Sequence, residues 1–357
     1  MKRNFFFLTL ILGSAVACHK SYNGPAAPTV FFQEIDLVAD AQGTHASQVD
    51  VKMMNPWGIA VNPAAGIIWV ADNHGGATSV FDSTGKTFLG PITIPPAGGA
   101  GTGSPTGVVF NGSSDFVIPN KSAAKFIFVS EDGTISAWIP GDNTTTIVAD
   151  QSPSGAVYKG CAIASQAGNN YLFAANFHAG VVDVFDRSFQ LVPGRSLVDP
   201  SLPAGFAPFN VANINGFLYV TYAKQEAPDN EDDEPGMGNG YVDVFSPDGT
   251  LLKNFAAKGS LNSPWGITQV PDGSFLPRHS ILIGNFGDGK INVYDSTGVY
   301  QGALQGKGQP IVIPELWALD FPANEFSKFD PAKLYFTAGP MDEQHGVFGY
   351  LKNVPNQ

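Results

Sequence analysis

Side chains that can bind a metal ion or move a proton occur near the end of the chain and near its middle. Glu343 and His345 lie two residues apart, and His178 is a third candidate. A carboxylate and an imidazole together can hold a divalent cation or shuttle protons. We therefore predict that Glu343, His345 and His178 form the centre of any metal-dependent site. The sequence shows no Ser-His-Asp pattern, glycine-rich phosphate loop or Cys-x-x-Cys pair.

Further polar residues of the same kinds lie in loops that recur along the chain. Asn and Asp at strand ends often hydrogen-bond to nearby backbone, so a turn role and a ligand role are both open for them. The histidines come from different repeats and lack the short spacing of a zinc motif. These additional candidate ligands are Asp72, Asn73, His74, Asn176, Asn285 and Asp288.

An acidic insertion distinguishes the fourth repeat from the others. Residues 225–239 form a loop that contains Gly and Pro and carries Asp229, Glu231, Asp232, Asp233 and Glu234. Such a run is either a solvated loop or a calcium site, because hard cations take several carboxylate oxygens. The spacing is not that of an EF-hand loop. If the protein binds a cofactor, we expect a divalent cation, with calcium the most plausible.

Six repeats position these loops. Each repeat begins with a similar phrase, and aligned on Gly58, Gly107, Gly160, Asn210, Gly266 and Ala318 the spacings are 49, 53, 50, 56 and 52 residues. A period of this size, filled with short apolar strands and Asp, Asn, Gly and Pro turns, is typical of a β-propeller with one four-stranded blade per repeat. The sequence therefore predicts an all-β, six-bladed propeller.

The ends of the repeat array predict how the ring closes. The last repeat stops at a third strand, Val347 to Leu351, whereas an unassigned apolar strand at residues 30–38 precedes the first repeat. We predict that this N-terminal strand supplies the outer strand of the last blade and removes the open edge. Residues 30–351 then form one propeller domain, followed by a tail at 352–357.

Propeller topology predicts that most of the candidate residues share one face. The first strand of a blade starts on the face where the second strand ends, so the loops before strand A and between strands B and C meet there. We call this the B–C face, and the opposite one the A–B face. Trp57, Trp265 and Trp317 hold the same repeat position near it and are expected to pack between blades.

The N-terminus predicts export. Lys2 and Arg3 precede an apolar run that ends at Ala17-Cys18, which fits a signal peptide at residues 1–17. Cys18 follows small residues as in a bacterial lipobox, so we expect lipidation of Cys18 and a tether at 18–29. The predicted location is the bacterial cell envelope, with membrane contact through the lipid anchor only.

Charge and cysteine content limit the classes of partner and the disulfides that the chain can have. The formal net charge is −12 and becomes about −14 once Lys2 and Arg3 are removed, which argues against nucleic acid as a partner. Only Cys161 then remains, so no intramolecular disulfide can form. We expect a monomer that contacts a small ligand or an envelope protein.

Long phrases of the chain resemble a known protein family. They include Asn55-Pro-Trp-Gly-Ile-Ala, Tyr158-Lys-Gly160, Pro203 to Asn210, Gly284 to Asn292 and Thr337 to Gly349. Together they resemble an uncharacterised family of exported bacterial propellers, some of which carry PEP-CTERM sorting tails. More distantly, the repeats are similar to NHL-repeat propellers, which include lactonases and streptogramin lyases with a divalent cation at the channel mouth.

These observations predict an exported propeller that binds a small ligand or a partner on its B–C face without catalysis. The alternative is a metal-dependent hydrolase or lyase, lactonase-like, with its site at the channel mouth. The family resemblance implies the fold and export, and it transfers no catalytic residues.

Overall fold

The structure is a computed structural model that describes residues 30–42, 45–322 and 328–354. Six sheets surround a central channel, and each sheet except the third has at least four strands. The predicted signal peptide, Cys18 and the whole predicted tether at 18–29 lie outside the described residues. No helix in the described part of the chain is long and apolar enough to cross a membrane.

The first three blades follow the repeats in order, with strand A of each blade lining the channel. Blade 1 contains β3 (Pro56–Asn62), β4 (Ile67–Asp72), β5 (Ala77–Asp82) and β6 (Thr87–Thr93). Blade 2 contains β7 (Pro105–Phe110), β8 (Phe126–Ser130), β9 (Thr134–Trp138) and β10 (Thr146–Asp150). A 3-10 helix, Ser152–Ser154, leads to blade 3, with β11 (Tyr158–Gln166), β12 (Asn169–Asn176) and β13 (Val181–Phe185).

The remaining blades complete the ring. Blade 4 contains β14 (Phe206–Ile214), β15 (Phe217–Lys224), β16 (Gly240–Phe245) and β17 (Leu251–Ala257). Blade 5 contains β18 (Pro264–Gln269), β19 (Ile281–Asn285), β20 (Ile291–Tyr294) and β21 (Tyr300–Ala303). Blade 6 contains β22 (Leu316–Asp320), β23 (Leu334–Ala338) and β24 (Val347–Val354), joined by β1 (Phe31–Ala39) and β2 (Gln48–Val49).

The predicted ring closure is confirmed. Strand β1 pairs antiparallel with β24 from Phe31 opposite Val354 to Ala39 opposite Val347, and β2 pairs parallel with β1 beyond it. The N-terminal strand therefore covers the edge of β24 that blade 6 would otherwise expose. Strand β24 runs to Val354, three residues beyond the predicted domain end at 351.

Blade 3 differs from the predicted four strands. After β13 the chain makes one bridge, Phe185 opposite Leu191, and then leaves the sheet. Pro193 cannot donate to a ladder, and Gly194 takes a left-handed φ of 73°. These two residues end the pairing where the other repeats form a fourth strand.

The spacing of the inner strands explains why glycine holds the repeat position in four of the six blades. A Cβ atom on Gly58 would lie 2.6 Å from the carbonyl oxygen of Thr106 in the next blade. A Cβ on Gly266 would lie 2.5 Å from the carbonyl oxygen of Trp317. At these positions adjacent inner strands approach too closely for a side chain, and glycine allows that approach.

Candidate functional site

A ring of six residues closes the channel at the B–C face. These residues directly precede the small repeat positions and are Trp57, Thr106, Lys159, Phe209, Trp265 and Trp317. Trp57 and Trp317 stack with ring centroids 3.5 Å apart, and Trp265 meets Trp57 edge-on at 6.2 Å. Since all three tryptophans are buried, they pack on one another as the sequence predicted.

Contacts between blades that are not neighbours show that this ring spans the axis. The indole Nε1 of Trp265 in blade 5 donates a hydrogen bond to the backbone oxygen of Lys159 in blade 3, at 3.1 Å. Phe177 and Phe209 extend the same buried aromatic cluster. We call the aromatic side chains of this cluster the aromatic floor, because they separate the channel from the B–C face. They are Trp57, Phe177, Phe209, Trp265 and Trp317.

Lys159 stands on the aromatic floor and is the cation at the centre of the site. Only 1% of its side chain is exposed, and its Nζ lies 5.1 Å from the ring centroid of Trp57. Nζ donates to Glu131 at 2.5 Å and to Asp232 at 3.1 Å. Burial acts to lower the pKa of Lys159, but Glu131 and Asp232 together outweigh burial and raise it. The amine is therefore an ammonium ion with two acidic partners.

Glu343 lies near Lys159 and Glu131 and keeps its proton to an unusually high pH. Burial raises its pKa to about 7, and repulsion from Glu131 adds to that shift. The hydrogen bond that Asn55 Nδ2 donates to Glu343 Oε2, at 2.5 Å, acts in the opposite direction, as does Lys159. Asn55 is itself held by Trp317, whose Nε1 donates to Asn55 Oδ1 at 2.9 Å.

The turn that presents Glu343 has an uncommon backbone. Met341, Asp342 and Glu343 are consecutive non-glycine residues with φ angles of 67°, 55° and 61°. The carboxylate of Glu315 accepts hydrogen bonds from the backbone N–H groups of Asp342, at 3.1 Å, and Glu343, at 3.0 Å. Strain of this kind persists only where the surroundings enforce it, and it concentrates at functional sites.

Together these groups enclose an acidic pocket of about 460 Å³ on the B–C face. The residues that line it come from five blades and are His74, Glu131, Val157, Glu231, Asp232, Asp342 and Glu343. Five of them carry carboxyl groups, whereas Lys159 supplies one ammonium beside them. The pocket therefore carries excess negative charge even when Glu343 is protonated.

The structure separates the three residues predicted to form the centre of the site. Glu343 lines the acidic pocket, whereas His345 and His178 do not. His345 Nδ1 contacts Asp40 Oδ2 at 2.9 Å, and His178 Nδ1 contacts the backbone oxygen of Asp229 at 3.0 Å. Within the described residues, no group of three or more His, Cys, Asp and Glu side chains is placed to hold a metal ion.

Of the additional candidates in blade 1, His74 lines the acidic pocket and the other two lie near it. Asn73 is buried, and its Nδ2 donates to Glu131 Oε2 at 2.8 Å. Asp72 is buried and accepts a hydrogen bond from Ser79 at 2.7 Å. Burial raises the pKa of Asp72 well above its ordinary value.

The candidates in blades 3 and 5 are held by their own blades. Asn176 Nδ2 donates to Asp183 Oδ2 at 3.0 Å. Asn285 Nδ2 donates to the backbone oxygen of Ser260, at 2.8 Å, and to Asp288, at 2.9 Å. Asp288 also pairs with Lys290. These contacts order turns, the other role that the sequence left open.

The acidic insertion lies against the pocket, and its acidic residues contact different partners. Asp232 pairs with Lys159, Glu234 pairs with Lys224 at 2.7 Å, and the backbone oxygen of Asp229 accepts from His178. Burial raises the pKa of Asp233 to about 6. Glu231 and Asp232 line the pocket, so the insertion forms part of its wall.

The sequence prediction missed Lys159 as the centre of the site. Asn55 and Glu131 were not among the predicted site residues either. One signal was present: Lys159 holds a repeat position that four other repeats fill with an aromatic side chain and one with Thr106. A lysine at such a buried position needs acidic partners, and these belong to distant loops that only the fold brings close.

The fold and this pocket define a six-bladed β-propeller with an acidic site at one end of its channel. The chain is 33% identical over 332 residues to the uncharacterised protein L690 of Acanthamoeba polyphaga mimivirus, covering 89% of this chain and 85% of the viral one. It is 30% identical over 330 residues to protein R648 of the same virus, covering 89% and 80%. The chain belongs to the same family as these mimivirus proteins.

Solved structures share the fold at low identity. A streptogramin B lyase superposes with a TM-score of 0.54 at 11% identity, covering 91% of this chain and 98% of the lyase. A GH93 α-L-arabinofuranosidase of Fusarium graminearum, solved with arabinobiose, gives 0.55 at 10% identity, with coverage of 91% and 98%. These similarities show the propeller fold alone. No family model matches the chain.

Proposed function

We propose that this chain is an exported, lipid-anchored propeller that binds a small, positively charged ligand in the acidic pocket and catalyses no reaction. The observation that carries the proposal is the charge balance of the pocket. Lys159 is already neutralised by Glu131 and Asp232, which leaves Glu231, Asp342 and Glu343 without a cation among the pocket residues. Unbalanced carboxylates in a concave site attract cations.

The size and walls of the pocket support this proposal. Its volume of about 460 Å³ lies within the range that small-molecule sites occupy. The aromatic floor and the buried network of Asn55, Asn73 and Trp317 hold the acidic groups in place before a ligand arrives. A preorganised site loses less entropy on binding.

Calorimetric titration at low ionic strength tests the proposal, with calcium chloride and spermidine as two sources of positive charge. We expect at least one of them to bind, and Glu343→Gln to weaken that binding by about tenfold at pH 8. Asp272→Asn is the matched control, because it also removes one negative charge but lies in an exposed pair with Arg278. Absence of binding to the wild-type chain, or equal losses in both variants, would overturn the proposal.

Export and anchoring rest on the N-terminal sequence, and their test is separate. The family resemblance points to a bacterial envelope, whereas the relatives at 30–33% identity are viral. Expressed in a bacterium, the full chain should incorporate labelled palmitate and sediment with membranes. Cys18→Ser should lose both properties, while Cys161→Ser should retain them.

A metal-dependent hydrolase or lyase is the second candidate, and the state of Glu343 favours it. A carboxyl group with a pKa of about 7 can both accept and return a proton near neutral pH. Glu343 also lies on the left-handed turn, where strain is often functional. Under this alternative, turnover of simple lactones and esters in the presence of calcium or magnesium should disappear in Glu343→Gln and persist in Asp272→Asn. Equal turnover by the two variants would exclude Glu343 as the acid–base group.

A further inference from the structure

Beneath the aromatic floor, the channel forms a second cavity that opens towards the A–B face. The inner strands of all six blades enclose about 320 Å³ there, lined mainly by glycine, alanine, valine and isoleucine. A second volume of about 420 Å³ adjoins it and shares five lining residues, Val61, Asn213, Ile214, Thr268 and Asp320. Trp265 belongs to both the floor and the channel lining, so the floor forms the closed end of this cavity.

Asp320 is the one carboxyl group among the residues that line these two volumes. It lies two positions after the small residue of its repeat, and the equivalent residues of the other blades are Ala60, Val109, Ala162, Ala212 and Thr268. All six line the channel, so they form one ring in which five members are apolar or threonine. The repeat pattern gives no structural reason for an acid in this ring.

The carboxyl group of Asp320 has little to bond with in the protein. Among the described residues, its one hydrogen bond is with the backbone N–H of Phe321, and no cation pairs with it. Burial raises the pKa of Asp320 to about 7, because the surrounding protein disfavours the charged form. Part of the residue's surface remains accessible from the channel. An ionised carboxylate can accept about four hydrogen bonds, and the described residues use only a small part of that capacity.

Several of the other polar side chains along the channel already have partners. Asn210 Nδ2 donates to the backbone oxygen of Trp265 at 2.9 Å, and Asn213 Nδ2 donates to the backbone oxygen of Ile163 at 2.8 Å. Gln269 accepts a hydrogen bond from Asn215 at 2.7 Å. Asp320 is the one charged side chain among the residues that line this cavity, and a cationic ligand can satisfy it.

We propose that this cavity is a second binding site, specific for an organic ammonium ion with a short apolar chain. Asp320 lines both volumes, so it lies where they meet, and it would pair with the ammonium group. The apolar chain would extend inward among Ala162, Ala212 and Ile267 towards Trp265. Pairing supplies the charge that the carboxylate lacks, and burial of the chain adds roughly 0.8 kcal/mol per CH₂ group.

Calorimetry with n-hexylammonium, and with n-hexanol as the neutral probe of equal length, tests this site at pH 8. We expect the wild-type chain to bind hexylammonium at least about tenfold more tightly than hexanol, and Asp320→Asn to remove that preference. Glu343→Gln should leave it unchanged, which distinguishes this cavity from the acidic pocket. Equal binding of the two probes, or a preference that persists in Asp320→Asn, would overturn the proposal.

A second measurement does not depend on how Asp320→Asn folds. Cys161 is buried beside the channel, so its thiol reacts only when the fold opens locally, and it becomes the single thiol of the full chain when Cys18 is replaced by serine. Bound hexylammonium should slow modification of Cys161 by methyl methanethiosulfonate at least about threefold, an effect on rate that hexanol at the same concentration should not match. Equal modification rates with and without hexylammonium would contradict the proposal.

Discussion

The two ends of the central channel are formed by the same six inner strands but differ in chemistry. At the B–C face, loops from three blades place five carboxyl groups in the acidic pocket beside Lys159, above the aromatic floor. Towards the A–B face, the wall is the strands themselves, and Asp320 is the single carboxyl group among the lining residues. Loops can carry long polar side chains because they extend into solvent, whereas inner strands pack too closely to do so.

This difference changes how each end controls its acidic groups. At the B–C face, the pKa of Glu343 is set by burial and by the charges of Glu131, Lys159 and Asp232. At the other end, burial alone raises the pKa of Asp320, opposed by one backbone hydrogen bond. Burial is the largest cause in both and raises each pKa to about 7, but neighbouring charges contribute only at Glu343. The aromatic floor keeps the two environments apart.

The largest effect should come from removing that floor. Trp57→Ala deletes a side chain that is 2% exposed and stacked on Trp317, so we expect the free energy of unfolding to fall by about 3–5 kcal/mol. It should also connect the two cavities and speed modification of Cys161. Urea denaturation measures the first effect. Phe88→Ala, at a 57% exposed position, should cost less than about 1 kcal/mol, and a similar loss in both variants would contradict a role for the floor.

The next largest effect should come from the cation of the acidic pocket. Lys159→Met leaves Glu131, Asp232 and Glu343 close together without a counter-charge, and we expect a loss of about 3 kcal/mol in the free energy of unfolding at pH 8. Lys224→Met is the control, because its pair with Glu234 is largely solvated and should contribute less than about 1 kcal/mol. If Lys159→Met loses no more free energy of unfolding than Lys224→Met, the buried ammonium does not organise the site.

The pH dependence of stability should reveal both raised pKa values. Folding raises the pKa of Glu343 from 4.5 to about 7 and that of Asp320 from 3.8 to about 7, so the folded state holds these protons more tightly than the unfolded state. The free energy of unfolding from these groups therefore falls as pH rises from about 4 to 7. Glu343→Gln and Asp320→Asn should each flatten that slope in denaturation series, and an unchanged slope in both would contradict the raised values.

The smallest effect separates the causes of the two shifts. Salt screens charge–charge interactions but hardly changes burial. Repulsion from Glu131 and Asp232 raises the pKa of Glu343 by more than attraction to Lys159 lowers it. Raising the salt concentration from about 0.05 M to about 0.5 M should lower the pKa of Glu343 by a few tenths of a unit and leave that of Asp320 unchanged. Carboxyl carbon chemical shifts measure both values. A salt-dependent Asp320 would mean that charged groups reach the channel.

Much of the fold follows from local sequence. The repeat phrases, the glycines at Gly58 and Gly266 and the spare N-terminal strand predicted six blades and the closure of the ring, because each reflects short-range strand and turn chemistry. Blade 3 departed from that pattern where Pro193 and Gly194 interrupt pairing. The candidate site was harder to predict: Glu343 and His74 were identified, whereas His345 and His178 are held by Asp40 and Asp229 outside the pocket.

What the sequence determined by itself is the period, the order of the blades and the closure of the propeller by the N-terminal strand, since these depend on residue type at a fixed spacing. Tertiary structure decided which charges meet. Lys159 pairs with residues 28 and 73 positions away, and Asn55 bonds to Glu343 at a separation of 288 residues. Loop geometry and ring closure set these distances, and both depend on all six blades packing together. The same closure places Asp320 among apolar side chains, where burial rather than sequence context sets its pKa.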